Sequence, residues 1–460
     1  MRRFIIFLFI LLLPGCSLLQ PTNPYAPVSG RLSPLSPGAS RVHMGIRPEL
    51  SDEPFTLTRC ITIALANNPE VAATSWESAA SDYRVDPARA QQWPTLSSDG
   101  GYNRYLASLR LLQARYNGEP GYFDNDIYRN DLIVKWPIFT GGRIINEIAA
   151  AELLSKAEGN RLVRTREELV FNVSSTFYAI LGERKVILSL EFSLQAMEEQ
   201  LKKVGLLLDA QKAAKVDYLR TEVRVADLQQ SLVREQNLLA IQKRVLAGLL
   251  GLDYDLERFA VEGKLTFEEQ HPEADPLVPQ ALQNRPDYLA AKDRLEAQAK
   301  RVDIARAGHL PTVAILGAYG VRADSQSHSE DVGTIAVGVT IPLYEGGRVV
   351  AKVDEERALL GASQERLRRL ELQVRQEVET AVLDIRSNSE RVRALDKAIE
   401  QAKESLRIEQ QKYELAAGSI TDVLDAQTAL LLSETNYFRA LADFRTAIAR
   451  LDFATGVEIP

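Results

Sequence analysis

Apolar residues recur every three or four positions over two proline-free stretches, Arg143 to Leu208 and Val349 to about Leu415. The first series is Leu169, Val173, Phe177, Ile180, Ile187, Leu190, Leu194, Met197, Leu201, Val204 and Leu208. The second is Leu367, Leu370, Val374, Val378, Ala381, Ile385, Val392, Leu395, Ile399, Ala402 and Leu406. This stepping is a coiled-coil seam. At about 1.5 Å per residue a helix of roughly 65 residues reaches about 100 Å, several times the usual length in a globular domain. Each stretch ends in a short break, Asp209 to Asp217 or Ala416 to Thr421. A second helical pattern, Tyr218 to Leu250 or Asp422 to Phe453, then returns antiparallel. Further helices are expected at Thr58 to about Gln92 and Asp287 to about Gly308.

Between those elements the period changes from 3.6 to two. Val313, Ile315, Gly317, Tyr319 and Val321 alternate with Thr312, Ala314, Leu316, Ala318 and Gly320, and after a polar turn Gly333, Ile335, Val337, Val339 and Ile341 resume the alternation. Thr95 to Tyr105 and Asp126 to Phe139 repeat the pattern earlier, with a longer loop around Tyr116 to Gly121. Strands of about ten residues tipped with Trp136, Phe139, Tyr319 and Tyr344 suit the wall of a membrane barrel. Taken alone, they suit a soluble hairpin with one wet face equally well.

The two halves repeat each other. Ala64-Leu65-Ala66-Asn67-Asn68-Pro69-Glu70 recurs as Ala281-Leu282-Gln283-Asn284-Arg285-Pro286-Asp287, an offset of 217 that Trp93-Pro94 and Leu310-Pro311 keep. Pro137-Ile138-Phe139-Thr140-Gly141-Gly142-Arg143 recurs as Pro342-Leu343-Tyr344-Glu345-Gly346-Gly347-Arg348 at an offset of 205. The difference of twelve falls in the strand hairpin, where the first loop is longer. The predicted organisation is a signal at 1–15, an extended segment at 16–54, a first repeat at 55–251, an equatorial linker at 252–276, a second repeat at 277–456 and a tail at 457–460. Within the repeats the barrel hairpins fall at 95–139 and 312–343, and the helical hairpins at 143–250 and 349–453. Gly141, Gly142, Gly346 and Gly347 stand where strand becomes helix, so they are corners of the chain and not phosphate loops.

The run Phe4 to Leu13, behind Arg2 and Arg3, is too short for a membrane helix of about 20 residues and fits a secretory signal. Cys16 directly after Gly15 resembles the lipid-attachment cysteine of a bacterial lipoprotein, with acylation anchoring the mature chain. Ser17, in place of an aspartate that would retain such a lipoprotein in the inner membrane, directs it to the outer one. The net charge of −7, with basic residues spread along helical stretches, disfavours nucleic acid as a partner. Two cysteines, Cys16 and Cys60, exclude a disulfide scaffold, and the four scattered histidines offer no metal anchor. No nucleophile, base and oxyanion donor assemble from any motif, so neither an enzyme nor a cofactor is expected.

A strand hairpin in lipid cannot leave its edges unpaired. Four strands per chain are too few to close a barrel, whose smallest examples have about eight, so several chains must join. The duplicated order of helix, strand, strand, Gly-Gly-Arg, long helix, tip and returning helix, with Tyr413-Glu414-Leu415-Ala416-Ala417-Gly418-Ser419-Ile420-Thr421-Asp422-Val423-Leu424-Asp425-Ala426-Gln427, resembles the TolC-type outer-membrane efflux proteins over about Thr58 to Gly456. The resemblance implies a mixed, mostly α fold in which three chains build one twelve-stranded barrel above a helical tunnel. It also implies passive export, with a periplasmic adaptor and an inner-membrane transporter as partners. Asp422 and Asp425 match the aspartate rings at the closed end of the tunnel, and Tyr413 a tyrosine that helps hold it closed. Asp422 also suits a helix cap with Ser419, and Tyr413 suits seam packing. The family can carry an arginine latch where this chain has Gly418, which puts that latch in doubt. Two other classes compete: a periplasmic adaptor lipoprotein, which would carry one helical hairpin, and a structural coiled-coil envelope protein, which would lack the strands.

Overall fold

The computed structural model describes residues 54–110, 123–252, 260–326, 328–415 and 417–457. Cys16 and the segment from 16 to 53 lie outside the described residues. Helices α1 (Leu57–Asn67), α2 (Pro69–Tyr83) and α3 (Val85–Ala90) lead into strands β1 (Thr95–Arg110) and β2 (Phe123–Phe139). Helix α4 (Arg143–Asp209) turns back as α5 (Lys215–Leu249). The order then repeats with α6 (Ala274–Asn284), α7 (Pro286–Arg306), β3 (Thr312–Asp324), β4 (Ser329–Thr340), α8 (Arg348–Glu414) and α9 (Ile420–Thr455).

The single helix expected at Thr58 to Gln92 is three helices. The first break falls at Asn68-Pro69, where proline disfavours a helical conformation in the residue before it, and Asn68 caps the next helix through its Oδ1. The second copy breaks at the equivalent Arg285-Pro286 and starts eleven residues upstream of its break, at Ala274. All four strands exceed their expected bounds on the loop side because antiparallel pairing continues toward the loops, β4 beginning at Ser329; at its other end β4 stops one residue short, at Thr340.

The 67 residues of α4 and of α8 make each about 100 Å long. Their predicted seam positions are the ones withdrawn from solvent: Val173, Ile180, Met197 and Val204 on α4, and Val374, Val378, Ala381 and Ile385 on α8, are all fully buried. The seam of α4 packs on α1, α5 and α9, so this one helix joins both repeats. The linker lies against it, with a short parallel bridge between Phe55 and Val261 closing the waist.

All four strands form one antiparallel sheet in the order β1-β2-β3-β4. Register puts Leu96, Val134, Gly317 and Ile335 in one cross-strand row, and Trp136, Ile315 and Val337 in another. That face is apolar and faces out: Leu96 is 70%, Ile335 87% and Val337 66% exposed. The opposite face carries Asp99, Arg129, Asp131, Lys135, Arg322 and Glu330.

Each repeat is pinned at its waist by the residue before the proline. Asn68 donates to the Leu249 carbonyl at 2.9 Å, and Arg285 donates to the Ala454 carbonyl at 3.2 Å, so both hold the end of the returning helix. Arg285 is 1% exposed and also binds Asp287 at 2.7 Å and Glu377 of α8. Arg164 of α4 completes the joint, lying over the Phe453 ring at 3.5 Å. Replacing Arg285 with alanine removes the buried guanidinium from Asp287, Glu377 and the Ala454 carbonyl and is expected to lower stability by about 2 kcal/mol. Chemical denaturation followed by helical circular dichroism measures this; a change near zero would refute the pin.

Candidate functional site

Three places in the fold carry the sequence-predicted residues: two corners at the foot of the sheet and one tip at the far end of the helices. At the corners Gly142 and Gly347 have the same backbone, φ +82° and ψ 0°, preceding the first residue of α4 or α8. Gly141 and Gly346 precede them at φ +62° and +61°. Two consecutive left-handed residues turn a strand into a helix within a few positions, and side chains resist that conformation. A Cβ on Gly141 would also sit 2.7 Å from the Leu310 Cβ, where the second repeat packs beneath the first corner.

At the tip, Ser419 and Asp422 form a capping box: Thr421 N–H donates to Ser419 Oγ at 3.1 Å, and Ser419 N–H donates to Asp422 Oδ2 at 3.3 Å. Asp422 and Asp425 are both exposed, while Val423, Leu424 and Ala426 between and beside them are buried. The periodicity of α9 thus puts both carboxylates on its open face near the helix N-terminus, whose partial positive charge favours them. Tyr413 is half-buried on the apolar cluster of Val204, Val225, Ile420 and Val423. Burial and the Asp217 charge push its hydroxyl above the ordinary tyrosine range, so Tyr413 stands close to the tip of the first hairpin. A cleft of about 270 Å³ opens beside it, lined by Glu199, Gln200, Lys203, Gln410 and Glu414 among others.

Three cross-hairpin contacts at the tip were not foreseen. Lys203 of α4 binds Glu414 of α8 at 2.6 Å, Arg220 of α5 donates to Thr421 Oγ1 at 3.0 Å, and Arg224 donates to Thr428 Oγ1 at 2.7 Å. Nothing in the sequence singles them out; only the fold shows that each reaches the other repeat. A Cβ on Gly418 would meet the Lys412 Cβ at 2.9 Å, so this tip has no room for the arginine that the resemblance puts here.

The sheet contributes one more arrangement. Arg322 of β3 clasps Asp131 of β2 across the strands, with Nη2 to Oδ2 at 2.9 Å. A Cβ on Gly320 would lie 2.3 Å from the Asn130 carbonyl oxygen, so glycine makes the space for the Asp131 side chain. Among the described residues no group of histidine, cysteine, aspartate and glutamate can hold a metal ion, and no helix is long and apolar enough to cross a membrane.

A sheet with an apolar outer face and a charged inner one, carried on duplicated helical hairpins of about 100 Å, defines an envelope channel subunit. The outer membrane efflux protein family matches residues 60–252 and 277–457, and the chain belongs to that family. It is similar to outer membrane protein TolC of Vibrio cholerae, at 21% identity over 412 residues covering 85% of this chain and 89% of that protein. It is also similar to outer membrane protein OprJ of Pseudomonas aeruginosa, at 25% identity over 484 residues, covering 98% and 94%. Among solved structures, outer membrane protein VceC from Vibrio cholerae superposes with a TM-score of 0.75 at 20% identity, covering 87% of this chain and 96% of that one. The mostly helical, four-stranded fold expected from sequence is therefore the fold of an outer-membrane efflux protein of the TolC type.

Replacing Ser419 with alanine is expected to cost about 1 kcal/mol at the first turn of α9. Amide exchange at residues 420–423 reads it, and unchanged protection would show that the cap does not hold this tip.

Proposed function

We propose that three copies of this chain close one twelve-stranded barrel in the outer membrane and continue it as a helical tunnel into the periplasm. The tunnel passes cargo delivered by an inner-membrane transporter through a periplasmic adaptor. The observation that carries this is the sheet: four strands, an apolar outer face, and edges β1 and β4 that pair with nothing among the described residues. In lipid such edges must be satisfied by another chain, and β4 of one copy beside β1 of the next gives three times four strands. The two helical hairpins per chain favour a tunnel wall over an adaptor, which would carry one. The strands disfavour a purely structural coiled coil.

Cys16 is the proposed lipid attachment point; acyl chains there, at about 0.8 kcal/mol per buried methylene, add anchoring to that of the barrel. Threefold symmetry gathers six carboxylates from Asp422 and Asp425 at the tip, a focused negative field that admits cations and is blocked by polyvalent ones. Tyr413 supports that narrow end from behind, through the tip cluster and its proximity to Asp217.

Purified protein in planar bilayers is expected to conduct ions, and to migrate as a heat-resistant oligomer. A monomer without conductance would overturn the channel. In the conducting protein, replacing Asp422 and Asp425 together with alanine is expected to weaken block by a trivalent cation by about tenfold, or ~1.4 kcal/mol. Unchanged block would remove both residues from the constriction. Radiolabelled palmitate tests the anchor: Cys16→Ser is expected to abolish incorporation, and label retained in that variant would place the lipid elsewhere.

A further inference from the structure

The apolar seam of α4 is interrupted below the waist. Its residues down to Leu181 belong to the waist cluster and those from Val186 onward to the lower cluster; between them stand Gly182, Glu183, Arg184 and Lys185. Here α9 packs tightly on α4, since a Cβ on Gly182 would sit 2.9 Å from the Ala442 Cβ and 3.4 Å from the Phe438 carbonyl oxygen. Helix α5 supplies Glu235 at the same level. Glu183 is 5% and Glu235 4% exposed, which is rare for carboxylates.

Their partners are uneven. Glu235 accepts from Arg234 of its own helix at 2.8 Å and lies 3.3 Å from Arg439 of α9. Glu183 Oε1 is buried with no donor from the protein, and its carboxyl meets that of Glu235. Two carboxyls in hydrogen-bond contact need one proton between them, because two adjacent buried charges repel. Burial and the Glu235 carboxylate together push Glu183 up to about 7, against the pull of Arg439 and Arg234. Burial also works against charge on Glu235, but hydrogen bonds from Arg234 and Glu183 and the charges of Arg439 and Arg234 hold it below the ordinary glutamate range. Arg184 turns to the linker and donates to the Val261 carbonyl, leaving Arg234 and Arg439 as the cations facing the pair.

We propose that Glu183 and Glu235 form a proton-held latch between α4 and α5, with Arg439 seating α9 on it, fastened while Glu183 keeps its proton and released when that proton is lost. The proton ties α4 to α5, whereas the Arg439 guanidinium ties α5 to α9 whatever the state of Glu183, so the titration loosens α4 from α5 and leaves the link to α9 in place. The consequence for gating rests on the channel reading; the latch itself is a property of the packing. The raised group contributes its stabilisation in full below the ordinary glutamate value of 4.5, and that contribution is lost as pH rises to about 7. Glu235 titrates in the opposite sense and only below 4.5, outside this window.

Amide exchange in the full-length oligomer, corrected for intrinsic rates, tests the latch at residues 182–187 and 232–238. Local opening is expected to rise by up to about tenfold per pH unit toward pH 7 and then to level off. Glu183→Gln, which keeps a donor and removes the charge, is expected to flatten the profile. A flat profile in the parent protein, or the parental slope in E183Q, overturns the latch. Infrared spectroscopy of the parent needs no variant: a protonated carboxylic acid band titrating near neutrality supports the latch, and its absence overturns it. Bilayer conductance is scored separately, so that a latch seen in a non-conducting protein stands while the channel reading falls.

Discussion

Unpaired backbone amides at a sheet edge set the terms for everything else in this molecule. An N–H or carbonyl facing hydrocarbon without a partner costs several kcal/mol, and β1 and β4 each present a row of them. The apolar outer face of Leu96, Trp136, Ile335 and Val337 is itself suited to lipid, so water is not at hand there to relieve that row. In the proposed assembly identical neighbours close that row, and symmetry comes with the closure. The helices below must then stand in register with the strands above, since the chain passes from one to the other within a few residues.

That passage explains why the glycine corners and waist pins occur twice in nearly the same geometry. Gly142 and Gly347 share one backbone conformation, and Asn68 and Arg285 hold equivalent helix ends by different side chains. The duplicated element is therefore a contact, a side chain gripping the last carbonyls of the returning helix, more than an amino acid. Arginine at the second site reaches further and collects Asp287 and Glu377 as well, tying α8 into the joint.

The long helices were legible because a 3.6-residue period sustained over many turns leaves little ambiguity, and the seam positions named from sequence are buried or half-buried in the fold. Strand identity and pairing were legible from alternation, whereas strand ends depend on how far a ladder persists toward the rim and carry no local signal. The breaks at Asn68-Pro69 and Arg285-Pro286 had a visible cause in proline, and so did the break at Arg84, because Pro87 has no N–H for the Tyr83 carbonyl four residues back. At the tip, Ser419 and Asp422 announced a cap by their spacing. Lys203, Arg220 and Arg224 announced nothing, because a charge that crosses to another helix looks in sequence like one facing water. Cys16 lies outside the described residues, so its reading still rests on the signal pattern alone.

Polar interruptions of the seam have a common physical logic. An uninterrupted apolar stripe between α4 and its neighbours would gain stability from packing but would hold the hairpins in whatever register packs best. Buried charged groups give up some of that stability, and they make one alignment distinct because each must meet its partner or stay unsatisfied. Arg285 does this at the waist and the Glu183, Glu235 and Arg439 cluster does it below, where α9 packs against Gly182. The two differ in what can loosen them. A guanidinium never loses its charge in the physiological range, so the waist is fixed; a carboxyl pair sharing one proton is the only one of the two whose grip depends on the solution around it.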